Sequence, residues 1–86
     1  MPRISKFYGI AIYMYYRDHA PPHFHAVYGG QRAEILIESG RYLKGSLPPG
    51  ATRLIATWRG QHGDELMRNW ELARHKEPLM RIEPLR

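Results

Sequence analysis

Asp18-His19-Ala20-Pro21-Pro22-His23-Phe24-His25 concentrates the chain's chemically capable side chains: three of the five histidines and an aspartate sit in this one short run. Three chemistries stay open for it. The first is acid–base catalysis: imidazole titrates near neutral pH, so one ring can take a proton while another gives one. Cleavage of RNA by its own 2′-hydroxyl needs such a pair and a cation for the phosphate. His19, His23 and His25 would be the acids and bases, with Asp18 orienting a ring. Arg17 or Arg32 would be the cation, and Tyr13 or Tyr15 the stacking surface. The second is metal binding. His23 and His25 project from one side of an extended strand and can share a divalent ion such as zinc, completed by His19 or by Glu34 on the next strand. No His-Glu-x-x-His pattern accompanies them, and the acid–base reading needs no cofactor. The third is non-catalytic: an aromatic and histidine surface that packs on a partner protein, with Asp18 an ordinary turn residue.

These side chains need a scaffold. Residues 7–16 read as a strand rich in Tyr, Ile and Phe, with Tyr8, Ile10, Ile12, Met14 and Tyr16 on one face and Tyr13 and Tyr15 on the other. Arg17 to Pro22 is a turn, since two prolines remove backbone donors. Residues 23–28 are a return strand. Alternation sets Phe24, Ala26 and Tyr28 with Ile10, Ile12 and Met14 on the core side, and leaves Tyr13, Tyr15, His23 and His25 outward. Gln31 to Glu38 is a third strand with Ala33, Ile35 and Ile37 inward, and Ser39-Gly40 turns into a short fourth strand at 41–45. Pro48-Pro49-Gly50 breaks the chain. From about Ala51 the period changes: Leu54, Ile55, Trp58, His62, Leu66, Trp70 and Ala73 keep three- or four-residue spacing. Gly60 and Gly63, followed by Asp64 and Glu65, predict a break near 60–63 in an amphipathic helix that Pro78 ends. Trp58 and Trp70 read as core, and His62 and His75 as incidental.

The expected fold is therefore α+β: a three- to four-stranded antiparallel sheet of hairpins (1–47), a helix or helix pair on one face (48–78) and a short tail (79–86) in which Ile82 and Leu85 dock. One domain is what 86 residues allow. The chain has no cysteine, so disulfides and thiolate metal sites are excluded. It has no apolar run long enough to cross a bilayer, and a cytoplasmic protein with no membrane partner is expected. The formal charge of +5 favours polyanions or an acidic protein. Arg53, Arg59, Arg68 and Arg74 do not form one clean stripe on the helix, which places DNA behind RNA as a partner. Exposed aromatics on a free sheet face also suit a homo-oligomer.

Phe7 to Gly29 follows the pattern FYGI-x-I-x-MY-x-x-DH-x-PPHFHA-x-YG. This resembles the signature of a family of small bacterial proteins catalogued as a domain of unknown function, and the likeness extends through Leu47-Pro48, the Trp58 helix, Asn69 to Arg74 and Ile82 to Leu85. The motif positions Asp18, His19, Pro21, Pro22, His23, Phe24 and His25 show no departure from it. The resemblance implies one half of a toxin–antitoxin-like gene pair, with a small acidic antitoxin-like partner, and carries no established activity.

Overall fold

The computed structural model describes residues 2–86, with Met1 outside the described residues. Five strands, β1 (Arg3–Phe7), β2 (Ile10–Tyr13), β3 (His23–Tyr28), β4 (Gln31–Leu36) and β5 (Tyr42–Gly45), pair in chain order into one antiparallel sheet. A helix, α1 (Pro49–Arg74), follows and packs on one face. The class is α+β as expected, with one strand more than the sequence suggests.

That strand comes from a turn inside the aromatic run. Residues 7–16 are not one strand: Tyr8 and Gly9 both have positive φ, 49° and 80°, and fold β1 back on β2. Two successive left-handed residues make the mirror-image turn whose twist matches a tight hairpin. Arg3–Phe7 thereby becomes an edge strand, with Phe7 opposite Ile10 and Ser5 opposite Ile12.

The register of the next hairpin is the expected one. Tyr13 faces His25, Ile12 faces Ala26 and Ile10 faces Tyr28. Ile10, Ile12, Met14, Phe24 and Ala26 are all fully buried, as are Ile35 and Ile37 almost completely. Tyr28 has core parity but lies at the end of β3 and is 38% exposed. His23 departs in the opposite sense: it has outward parity yet is fully buried.

Pro49 opens α1 rather than separating it from the sheet, because at the first helical position its missing N–H costs nothing and its φ is already helical. The predicted break falls at His62, whose φ of −126° and ψ of 24° interrupt the helix. The helix ends at Arg74, four residues before Pro78. There Lys76 turns left-handed (φ 55°) and the Glu77 and Lys76 amides donate to the Leu72 and Ala73 carbonyls (2.9 and 3.2 Å). These two bonds satisfy carbonyls the helix would otherwise leave unpaired.

Trp58 is the centre of the core. It is fully buried, its ring lies 5.3 Å from Phe7 and 5.9 Å from Phe24, and its indole N–H donates to the Glu83 carbonyl (2.8 Å). The tail docks as anticipated. Ile82 is buried, its amide donates to the Ile4 carbonyl (2.8 Å), and buried Asn69 exchanges two 2.9 Å hydrogen bonds with the Met80 backbone. An Asn side chain can match one amide and one carbonyl in this way, so the burial leaves nothing unpaired.

Candidate functional site

The loop between β2 and β3 carries Asp18 onto the start of β3. Met14, at the start of the loop, is buried in the core, and at Arg17 the chain turns left-handed (φ 52°) while its amide donates to the Ala73 carbonyl near the end of α1 (3.2 Å). That contact ties loop to helix and sets Asp18 against the two β3 histidines. Asp18 Oδ2 lies 3.0 Å from His23 Nε2 and 2.9 Å from His25 Nε2. Its other oxygen accepts from the His19 amide (2.9 Å) and stands 3.0 Å from His19 Nδ1. The turn residue is thus the hub of the cluster.

His23 is held on every side. Its Nδ1 donates to the Pro21 carbonyl (2.7 Å), and its ring centre is 5.3 Å from Trp70. On the Nε2 side Glu34 Oε1 follows Asp18 at 3.7 Å. An outward strand position becomes buried because loop and helix close over the end of the strand. His23 therefore does not lie on a free face, and as a group sealed from solvent it is not placed to exchange protons with a substrate. His25, the next residue on that side of β3, is still reachable: its side chain is 16% exposed, it sits across from Tyr13 on β2 and Glu34 on β4, and Tyr15 meets its ring edge-on at 4.2 Å. His19 is largely exposed.

Burial works to raise the Asp18 carboxyl pKa. The hydrogen bonds from His25 and from the His19 amide, with the charges of His23 and His25, together outweigh it and hold the group below its ordinary value.

Beside His25 the sheet opens a concavity of about 360 Å³, lined by Tyr15, His25, Val27, Arg32, Glu34, Lys44 and Gly45 among others. Lys44 stands opposite Glu34 in the β4–β5 pair, and a bulge follows between Glu34 and Ile35. Gly45 has φ 74°, and a Cβ there would overlap the Arg32 carbonyl, so only glycine lets β5 approach β4 this closely.

Of the residues singled out in the sequence, Asp18, His19, His23 and His25 come together, and Tyr15 and Arg32 join at the concavity. Tyr13 shares the outer face as the cross-strand neighbour of His25. Arg17 contributes its backbone to the loop anchor. Two residues were missed. Lys44 could have been found by carrying strand alternation across to 41–45. Trp70 reads as core by helical spacing, and it is core, but it also walls His23. Elsewhere, His62 Nδ1 and Glu65 pair at 2.6 Å beside the helix kink, an i,i+3 contact local to α1. Among the described residues no helix is long and apolar enough to cross a membrane.

A family model described as a domain of unknown function (DUF4160) matches residues 9–71, most of the chain. No curated protein and no solved structure matches.

Proposed function

We propose that this chain, which belongs to the family described as a domain of unknown function (DUF4160), binds single-stranded RNA on the outer face of its sheet, as the basic member of a toxin–antitoxin-like pair. The concavity beside His25 is the observation that carries the reading: its lining holds two cations, Arg32 and Lys44, against one carboxylate, Glu34, together with an aromatic ring, Tyr15. Single-stranded nucleic acids are held in this manner, by a positive groove for the backbone and an aromatic face for a base. The volume is at the low end of small-ligand sites, room for one nucleotide-sized group. The net charge of +5 adds long-range attraction. An acidic partner would engage the same Arg32 and Lys44 and thereby block RNA.

Fluorescence anisotropy with a labelled single-stranded RNA, repeated across salt concentrations, tests this. Arg32→Ala and Lys44→Ala should each weaken binding and lower the slope of log K against log salt by about 0.7. Tyr15→Ala should cost about 1–3 kcal/mol with little change in slope. Binding that survives the Arg32→Ala, Lys44→Ala double variant unchanged, or no binding at low salt, sinks the reading.

A further inference from the structure

We infer that Asp18, His23 and His25 hold one divalent transition-metal ion, zinc by its ligand chemistry, through Oδ2 and the two Nε2 atoms. The argument begins with the buried ring of His23. Its Nδ1 hydrogen is committed to the Pro21 carbonyl at 2.7 Å. In the neutral ring Nε2 then carries a lone pair, and that lone pair faces Asp18 Oδ2 at 3.0 Å with Glu34 Oε1 at 3.7 Å. A lone pair and a carboxylate do not bond to each other, so the contact needs either a proton on Nε2, as in a charged ring, or a metal ion between the two. A tethered Nδ1–H that frees Nε2 is how proteins orient a histidine toward a metal.

The rest of the cluster can take an ion in place of the proton. His25 Nε2 converges on the same Asp18 oxygen at 2.9 Å, and the three ligand atoms lie within 4.8 Å of one another. Tetrahedral zinc with bonds near 2.0–2.1 Å separates its ligands by about 3.3 Å, so an opening of a few tenths of an ångström admits the ion. Two imidazoles and one carboxylate suit zinc and its neighbours, whereas magnesium and calcium require oxygen shells. Three protein ligands is the count of an open site rather than a closed structural one. Of the three ligands His25 alone lines the concavity, and an ion that it presented there would act as an electrophile for a phosphate oxygen. That use rests on the RNA reading, while metal binding itself does not.

Zinc titration of the metal-stripped full-length chain, by calorimetry without nucleic acid, separates the two. Saturation at one ion per chain is expected, undisturbed by excess magnesium. Asp18→Asn and His25→Ala should each weaken affinity about 100-fold or more while circular dichroism shows both still folded, and His19→Ala should change it by less than about 10-fold. The ring nitrogens of His23, followed by NMR, should show Nδ1 protonated and Nε2 shifted by the ion. The alternative set His19, His23 and Glu34 also converges; loss of binding in His19→Ala but not in His25→Ala would overturn the assignment. So would the absence of saturable binding with His23 doubly protonated, which would make the cation a proton. RNA affinity is measured separately with and without zinc, so failure of either reading leaves the other standing.

Discussion

A single carboxylate holds the loop, the sheet and the cluster together. Asp18 is 14% exposed and touches three histidines, two of them on β3. Asp18→Asn keeps the shape but replaces one acceptor oxygen with a donor, and should destabilise the metal-free protein by about 1–3 kcal/mol at neutral pH. The pH dependence follows from the lowered pKa of the native carboxyl. An unfolded aspartate titrates near 3.9, so the Asp18 contribution is fully present above that value and disappears as pH falls through the lower native pKa. Urea denaturation of both proteins should therefore show a constant gap near neutrality that narrows only below about pH 4. A gap that widens as pH falls from 7 to 5 would mean that protonation of the histidines, not of Asp18, carries the dependence.

Strands β4 and β5 shape the concavity, and their closeness depends on Gly45. Gly45→Ala meets both a left-handed φ and the Arg32 carbonyl, so it should cost more than about 1 kcal/mol in thermal or urea unfolding and weaken RNA binding with it. Gly60 is the opposite case: it lies in the helix before the His62 kink, with open space around it. Gly60→Ala should stabilise by about 0.4–1 kcal/mol through the unfolded chain, and a loss instead would show that the kink needs its freedom. The same elements show what sequence can and cannot reveal. Alternation placed Ile10, Ile12, Phe24 and Ala26 inward because a sheet face packed on a helix enforces its period. It missed the Tyr8-Gly9 turn because tyrosine ordinarily signals strand, and here it takes a left-handed conformation inside an aromatic run. It misplaced His23 because strand parity says nothing of a loop folding over the strand's end. Asp18 was visible as a candidate, but its contact with two histidines five and seven residues away depends on the path of the loop.

At the scale of the whole molecule, the tail decides whether the site is held at all. Residues 79–86 form no strand or helix, yet they supply the acceptor for Trp58 (Glu83), both partners of Asn69 (the Met80 backbone) and buried Ile82, whose amide bonds to Ile4 on edge strand β1. Asn69 precedes Trp70, and Trp70 walls His23. The physical chain from tail to site is therefore short: Met80 pins Asn69, Asn69 fixes the second half of α1 beyond the His62 kink, and Trp70 presses on His23. A chain ending at residue 78 would lose the three hydrogen bonds that the tail makes to Trp58 and Asn69, about 0.5–1.5 kcal/mol each, and the burial of Ile82, about 1.5–3 kcal/mol, and would uncover apolar core besides. Against a total of about 5–15 kcal/mol for a small domain, that is a large share of the stability. The truncated protein should melt at least about 15 °C lower or fail to fold by circular dichroism. If it folds, the His23 ring signals should broaden or shift before those of exposed His19. An unshifted melting temperature with unchanged His23 signals would show that the sheet and the first half of α1 hold the cluster without the tail.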